Sequence, residues 1–177
     1  YVGRATPHKN LKRLVEAFVL LKKKHPKLML ALAGRMDDNY RHLEAIVTKK
    51  RMADSIVFTD HVSEGELKWL YQNTAAYVFP SLSEGFGLPG LEAMIHGAPV
   101  ISSDATCLPE IYGDAAHYFD PKNTFDMASK ISNVLSSAGL RGELVRKGRI
   151  RAEQYSWQKM AKQTLAIYQK ALGQTSS

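Results

Sequence analysis

The stretch that decides the fold is Ala75-Ala-Tyr-Val-Phe-Pro-Ser-Leu-Ser-Glu-Gly-Phe-Gly-Leu-Pro-Gly-Leu-Glu92. It begins with a short apolar strand, Ala75 to Phe79, crosses a glycine-rich turn and enters a helix that we expect to end near His96. Gly85 and Gly87 allow a tight turn and let the backbone approach a ligand closely. A strand, a glycine turn and a helix in this order are typical of α/β proteins.

The start of the helix after the turn predicts an anion site. Pro89 suits a first helical turn, where its missing N–H would have no partner. Free amide groups and the positive end of the helix dipole favour an anion there. Glu84 and Glu92 flank the turn, and ionised carboxylates accept hydrogen bonds from hydroxyl groups. The pattern therefore predicts a ligand that combines a polyol with phosphate.

Short apolar strands and amphipathic helices alternate along the rest of the chain. This alternation predicts a doubly wound, Rossmann-like parallel sheet of about six strands, with helices on both faces and further helices at the C-terminal end. The first expected strand ends at residue 3, and the others cover 28–33, 56–59, 75–79, 99–102 and 116–119. The expected helices cover 10–25, 38–51, 63–73, 88–96, 108–112, 124–136, 138–154 and 157–172.

Two helix starts carry recognisable capping signals. Asn10 is a plausible N-cap for the first helix, and Pro26 marks its end. Ser63 and Glu66 have the spacing of a capping box, in which each side chain bonds the other residue's backbone N–H.

Residues with special chemistry follow five successive strands. In a doubly wound sheet, ligands bind at the carboxyl ends of the strands. Arg4, Gly34, Val62, Glu84 and Ser103 all fall at such ends. Their convergence predicts a binding cleft at this edge of the sheet.

Gly3, Arg4 and Lys9 form a second signal for phosphate. An arginine presents a planar fork to phosphate oxygens, and a lysine adds a compact charge. Both can neutralise charge that develops on a diphosphate leaving group. The chain has 24 lysines and arginines, so such a pair alone would more often be a surface feature. Its position at a strand end facing the glycine turn favours a functional role.

The glycine turn also permits an alternative function. Gly85, Gly87 and Gly90 satisfy the G-x-G-x-x-G pattern, and Asp104 lies at the end of the next strand, so an NAD(P)-binding domain of an oxidoreductase is the second hypothesis. Against it, residues 80–84 separate the strand from the first glycine, whereas the dinucleotide fingerprint turns almost at once.

The composition indicates one globular domain, with 45% hydrophobic and 23% charged residues among 177. The single cysteine, Cys107, excludes an internal disulfide and is typical of a reducing compartment, so we expect a cytoplasmic protein. The six histidines show no metal-ligand spacing, so we expect no metal. The net charge of +7 lies on several helices. It is compatible with peripheral association at the inner face of the cytoplasmic membrane, whereas no nucleic-acid-binding motif is present.

Several segments together resemble the C-terminal domain of retaining glycosyltransferases of the group 1 family, which have the two-domain GT-B fold. The resemblance runs from Tyr1 to about Leu172, and two glutamates around Gly-Phe-Gly are its most specific feature. It rests on Gly3-Arg4 with Lys9-Asn10, Pro80-Ser-Leu-Ser-Glu-Gly-Phe-Gly-Leu-Pro89, Leu91-Glu92-Ala93-Met94, Gly97-Ala98-Pro99-Val100-Ile101, Leu108-Pro109-Glu110 and Gly113-Asp114-Ala115-Ala116 with Asp120-Pro121.

The resemblance implies a role for each candidate residue. In the family, the positions of Arg4 and Lys9 hold the diphosphate of a nucleotide sugar, and the Glu84 position faces the sugar hydroxyls near the anomeric centre. The backbone of residues 86–88 contacts sugar and phosphate, the Glu92 position binds the ribose, and the segment around Val62 lines the base. The implied catalytic residues are Arg4, Lys9 and Glu84, and the implied donor-binding residues are Gly3, Val62, Gly85, Phe86, Gly87, Leu88 and Glu92.

The resemblance also implies the reaction and the domain organisation. A sugar would move from a UDP- or GDP-linked donor to a glycan or lipid-linked saccharide with retention of configuration, without a cofactor or a metal. Residues 1–172 would form the nucleotide-sugar-binding domain and residues 173–177 a disordered tail. The acceptor would bind an N-terminal domain absent from this chain. We therefore expect the chain alone to be inactive, with the apolar side of helix 157–172 partly exposed.

Overall fold

Five parallel strands and eight α-helices alternate along residues 1–173, the part of the chain that the computed structural model describes. The strands are β1 (Leu30–Ala33), β2 (Ile56–Asp60), β3 (Tyr77–Phe79), β4 (Val100–Ser103) and β5 (Ala116–Phe119). The helices are α1 (Leu11–Lys22), α2 (Asp38–Lys49), α3 (Glu64–Asn73), α4 (Leu88–Ile95), α5 (Leu108–Tyr112), α6 (Thr124–Ser136), α7 (Ala138–Ala152) and α8 (Trp157–Ala171). The expected α/β class is confirmed, and the predicted tail falls almost wholly outside the described residues.

All strand pairs are parallel, as the alternation of strands with helices predicts. β1 pairs with β2, and β3, β4 and β5 pair in that order. Leu30 lies opposite Ile56, and Tyr77 lies opposite Val100. All four residues of β4 are buried, which is typical of a central strand covered by helices on both faces. The carboxyl ends of β3, β4 and β5 therefore point to one edge.

The expected count of about six strands is wrong, because the segment Tyr1–Gly3 does not form a full strand. Ala33 N–H donates to Tyr1 O at 2.9 Å, and Gly3 N–H donates to Ala33 O at 2.9 Å. These bonds give one isolated bridge, between Val2 and Ala33. This short segment therefore pairs with β1 but does not link β1 to β3.

Helix packing follows the apolar stripes of the sequence. On α1 the stripe is buried at Leu11, Leu14, Val15, Phe18 and Leu21, and this face packs against α6. α4 packs against α7 on another part of the sheet. α1 ends at Lys22, three residues before the predicted end.

Asn10 is not the side-chain N-cap that its position predicts. Its backbone is left-handed, with φ of 61°, and its side chain makes no capping hydrogen bond. Instead, its amide Nδ2 donates to the carbonyl oxygens of Pro80 at 3.0 Å and Pro121 at 2.8 Å. Because Asn10 is buried, satisfying its amide group takes precedence over capping the helix.

The capping box at the start of α3 is confirmed. Glu66 N–H donates to Ser63 Oγ at 3.3 Å, and Ser63 N–H donates to Glu66 Oε2 at 2.8 Å. Ser63 Oγ also donates to Glu66 Oε2, at 2.7 Å. The bonds that the Glu66 carboxylate accepts, first from the backbone N–H and then from the hydroxyl of Ser63, lower its pKa.

The last helix leaves its apolar side uncovered, as expected. Every described residue of α8 is at least partly exposed, and the Trp157 side chain is 71% exposed. The other large exposed apolar side chains of this segment are Met160, Leu165, Ile167, Tyr168 and Leu172. Within residues 1–173, neither α8 nor any other helix is both long and apolar enough to cross a bilayer.

Because of His117 on β5, we predict that the folded protein loses stability when the pH falls. Burial, reinforced by the charge of Lys130, lowers the pKa of His117 below its ordinary value near 6.5, whereas Asp126 acts in the opposite direction. The unfolded chain therefore binds this proton more readily, and stability is lost as pH falls below about 6.5. Urea unfolding at pH 7.5 and pH 5.5 should show that the free energy of unfolding decreases less between these pH values for His117→Asn than for the wild type. An equal decrease in both proteins would contradict this assignment.

Candidate functional site

The loop that joins β3 to α4, residues 80–87, is fixed in a turn that requires glycine. Gly87 has φ of +93°, a conformation that side-chain-bearing residues rarely adopt. Tyr112 OH donates to Gly87 O at 2.6 Å. A Cβ atom on Gly90 would lie 2.3 Å from two atoms of the same Tyr112 ring. α5, which carries this tyrosine, thus holds the start of α4 in place.

The N-terminal segment contacts this loop directly. Leu82 N–H donates to His8 O at 2.7 Å, and the Asn10 side chain donates to Pro80 O, as described above. Ser103, at the end of β4, donates its hydroxyl to Ser81 O at 2.6 Å. The ends of two neighbouring strands and the segment before α1 therefore meet around the loop.

Lys9 and Glu84 form an ion pair at this meeting point. Lys9 Nζ lies 2.5 Å from Glu84 Oε1, and the side chains are only 19% and 12% exposed. The ammonium also lies 5.5 Å from the centroid of the Phe79 ring, a favourable cation–π distance. A lysine carries three N–H donors, so Lys9 can bond Glu84 and still donate to a ligand anion.

The backbone of Glu84 is anchored from the segment that follows β4. Glu84 N–H donates to Thr106 Oγ1 at 3.1 Å, and Cys107 Sγ donates to Glu84 O at 3.2 Å. With Lys9 on its carboxylate, Glu84 is fixed at both ends. Its orientation is therefore set by the protein before any ligand binds.

Two tyrosines support the Gly3–Arg4 turn. Tyr40 OH donates to Gly3 O, and Tyr1 OH donates to Arg4 O, each at 2.8 Å. Burial raises the pKa of both phenols well above the ordinary value of 10, so they remain neutral donors. The backbone of Gly34 packs so closely here that a Cβ atom would lie 2.0 Å from Gly3 O. Arg4 itself is exposed.

The structure brings together some predicted site residues and leaves others apart. Lys9 meets Glu84. Phe86 lies in the glycine loop and Leu88 is the first residue of α4; their side chains are 40% and 44% exposed. Glu92 is exposed on α4, and Val62 is half-buried after β2. Among residues 1–173, no hydrogen bond or ion pair joins Arg4 or Glu92 to the Lys9–Glu84 pair.

Several residues that shape the site were missed by sequence reasoning. From the sequence, Asn10 is interpreted as a helix cap and as part of the Lys9-Asn10 motif. No role in the site is assigned there to Thr106, Cys107 or Tyr112. All four act through long-range hydrogen bonds to backbone atoms of the loop. No local pattern in the sequence identifies such contacts, because they depend on how the chain folds back on itself.

The arrangement offers a cation, a carboxylate and the N-terminal end of α4 at one edge of the sheet. In the first turn of α4, Pro89 has no N–H and the Gly90 N–H donates to Gly87 O at 3.1 Å, so the Leu88 amide is the group of this turn that can face a ligand. Such a set can bind an anionic group and accept hydrogen bonds from hydroxyls beside it. Residues 1–173 contain no group of three or more histidine, cysteine, aspartate or glutamate side chains arranged to hold a metal ion.

The geometry also weakens the dinucleotide alternative. β3 ends at Phe79 and α4 begins at Leu88, so a long loop stands where the dinucleotide fingerprint makes an immediate turn. Asp104 follows β4 and is exposed, and its N–H donates to Phe119 O at 3.0 Å.

A curated relative that is named as an enzyme matches nearly the whole chain. The O-antigen chain mannosyltransferase B of Escherichia coli is 33% identical over 172 residues, which make up 95% of this chain and 44% of that protein. The chain thus spans less than half the length of this curated relative.

Solved structures show the same fold. The sucrose-phosphate synthase of Thermosynechococcus elongatus superposes with a TM-score of 0.88 at 26% identity, over 99% of this chain and 45% of that one. The C-terminal domain of a glycosyl transferase group 1 family protein from Francisella tularensis superposes with a TM-score of 0.73 at 26% identity. This match covers 84% of the present chain and 80% of the Francisella chain.

The family described as glycosyl transferases group 1 matches residues 1–151 of the 177. This match includes both phosphate signals, the glycine loop and the Lys9–Glu84 pair. The fold is the Rossmann-like domain of the GT-B architecture. The chain therefore belongs to the group 1 family of glycosyltransferases, and this family is one of enzymes.

Proposed function

We propose that this chain binds the nucleotide-diphospho-sugar donor of an enzyme that transfers a sugar to a glycan or lipid-linked acceptor with retention of configuration. The observation that carries the proposal is the Lys9–Glu84 pair beside the glycine loop. Family membership supports the class of reaction. The pair is complementary to such a donor, because the Lys9 ammonium can bind its anionic diphosphate and the Glu84 carboxylate can accept hydrogen bonds from its sugar hydroxyls.

Lys9 and Arg4 would act on the diphosphate. The Lys9 ammonium is fixed by Glu84 at 2.5 Å, so little reorganisation is needed when phosphate oxygens arrive. Arg4 is exposed, and its guanidinium can reach outward to the second phosphate. Fixed cations stabilise a departing diphosphate more than they stabilise the intact donor, because negative charge grows on it during the reaction.

The proposed transfer conserves atoms and charge without a cofactor. The bond between the anomeric carbon and the diphosphate oxygen breaks, and a bond to the acceptor hydroxyl oxygen forms on the same face of the sugar. The acceptor proton passes to the departing diphosphate. Glu84 would bind sugar hydroxyls near the anomeric centre and would not act as a covalent nucleophile, since its carboxylate is held by Lys9.

Mannose is the first sugar to test. The Escherichia coli relative is named as an O-antigen chain mannosyltransferase, and its match covers 95% of this chain. GDP and UDP are the nucleotides to compare, with Val62 at the base and Glu92 at the ribose as the proposed contacts.

The acceptor would bind outside this chain. Since these residues span less than half of the curated relative, we propose that residues 1–172 are the donor domain and that a separate N-terminal domain holds the acceptor. Transfer would then require both domains. Transfer by the 177 residues alone would contradict this division. We also propose that the enzyme is cytoplasmic and contacts the inner membrane surface peripherally, an association with which the net charge of +7 is compatible.

Replacing Glu92 by alanine should weaken nucleotide binding about tenfold. A carboxylate that accepts one charge-assisted hydrogen bond from the ribose contributes about 1.5 kcal/mol, which is close to a tenfold change in affinity. Calorimetric titration of wild-type and Glu92→Ala protein with UDP, GDP and NAD measures this directly. The expected result is saturable binding of UDP or GDP that weakens in the variant.

Glu44→Ala is the matched control, because Glu44 is an exposed carboxylate on α2. It should bind the nucleotide like the wild type. NAD binding that is tighter than UDP and GDP binding and unchanged in Glu92→Ala would contradict the proposal and support the dinucleotide alternative.

A further inference from the structure

Phe86 lies in the glycine loop between two glycines with different surroundings. It lies between Gly85, around which no atom comes within 4 Å of an added Cβ, and Gly87, whose carbonyl is tied to Tyr112. The Phe86 side chain is 40% exposed. Its ring packs edge-on against Tyr155, with centroids 5.6 Å apart and ring planes at 89°. This geometry is favourable for an aromatic pair.

Tyr155 is itself held from two directions. Its hydroxyl donates to Ile111 O at 3.2 Å. The guanidinium of Arg151 lies 5.5 Å from the centroid of the Tyr155 ring, and Arg151 donates to the carbonyl oxygens of Ile111, at 2.8 Å, and Glu110. The end of α7 is therefore fixed to α5, and Tyr155 presents its ring in one orientation.

The same helix, α5, thus supports the loop twice. Tyr112 holds the Gly87 carbonyl directly, and Ile111 anchors Tyr155, which contacts Phe86. One phenol fixes the backbone, and the other fixes the side chain beside it. Neither phenol belongs to the set of site residues predicted from the sequence.

We propose that Tyr155 is a positioning residue for the glycine loop: its ring holds Phe86, and through Phe86 it sets the backbone of residues 85–88. The inference rests on the proposed function, in which this backbone contacts sugar and phosphate. In this role Tyr155 acts on the ligand only through Phe86, which its ring contacts.

The test compares nucleotide binding by unlabelled Tyr155→Ala and Tyr155→Phe. The wild type and Tyr155→Ala are also labelled with 4-fluorophenylalanine, and the Phe86 signal is assigned from Phe86→Leu. Tyr155→Ala should move and broaden that signal without ligand, and should weaken binding of UDP or GDP about threefold to tenfold. Tyr155→Phe keeps the ring and should remain within about twofold of the wild type. In the full-length enzyme, the donor KM should rise in Tyr155→Ala while kcat changes less.

Tyr168→Ala serves as the control, because Tyr168 is an exposed tyrosine of α8. An unchanged Phe86 signal and unchanged affinity in Tyr155→Ala would overturn the inference. Equal damage in Tyr155→Phe would also overturn it, since the hydroxyl bond to Ile111 would then be the important contact. If the wild type binds neither nucleotide, the proposed function fails, yet the fluorine signal still decides whether Tyr155 positions Phe86.

Discussion

Lys9→Ala should lower kcat/KM for sugar transfer by the full-length enzyme by about 10²- to 10³-fold, the usual effect of removing one preorganised group that stabilises transition-state charge. The physical reason has two parts. The variant loses the cation proposed to neutralise the departing diphosphate, and it leaves the carboxylate of Glu84, a side chain only 12% exposed, without its ion-pair partner. Initial rates of transfer from a nucleotide-sugar donor measure the effect.

Lys12→Ala is the control for the change in charge, because Lys12 is exposed on α1 near the same segment. We expect its kcat/KM to stay within about twofold of the wild type, as is usual for surface substitutions. A loss of less than threefold in Lys9→Ala would remove Lys9 from the catalytic residues. A thermal unfolding curve for each variant separates loss of chemistry from loss of fold.

Gly90→Ala should destabilise the domain by about 2 kcal/mol, the net of an overpacking cost of about 3 kcal/mol and a gain of about 1 kcal/mol from helix preference. The added Cβ would lie 2.3 Å from Cζ and OH of Tyr112, which is fully buried and bonded to Gly87, so the ring cannot move away without breaking that bond. Helix preference acts in the opposite direction, by about 1 kcal/mol in favour of alanine. Calorimetry should therefore show a Tm lower by roughly 4 to 8 °C.

Gly85→Ala is the matched control in the same loop. No atom lies within 4 Å of a Cβ added there, and the backbone of Gly85 is outside the left-handed region. Its free energy of unfolding should stay within about 0.5 kcal/mol of the wild type. If Gly90→Ala were as stable as Gly85→Ala, the close approach of α4 and Tyr112 would be wrong.

Local patterns were sufficient to predict most of the secondary structure. The Ser63–Glu66 box, the α5 bounds and the extent of α6 follow from caps, prolines and apolar stripes that lie within a few residues of one another. Strand number was harder to predict, because Tyr1–Gly3 has a strand-like sequence but makes only one bridge. Pairing depends on neighbours in space, which the sequence does not specify locally.

The candidate site was predictable only in part, for the same reason. The glycine loop and the ion-pair residues Lys9 and Glu84 belong to recognisable local motifs. The residues that hold them, Tyr112 and Tyr155 among them, act across 22 or more positions of sequence. Their roles depend on packing between α5, α7 and the loop, and no short pattern encodes that packing.

The most direct test of donor binding is an amide NMR titration of the ¹⁵N-labelled chain with GDP, UDP and NAD. The spectra detect even weak binding and locate it by residue. We predict that GDP or UDP shifts the amide signals of Lys9, Glu84 and residues 85–88, and leaves those of α8 unchanged. Signals of the glycine loop that stay fixed at millimolar nucleotide, or that respond to NAD alone, would contradict the account.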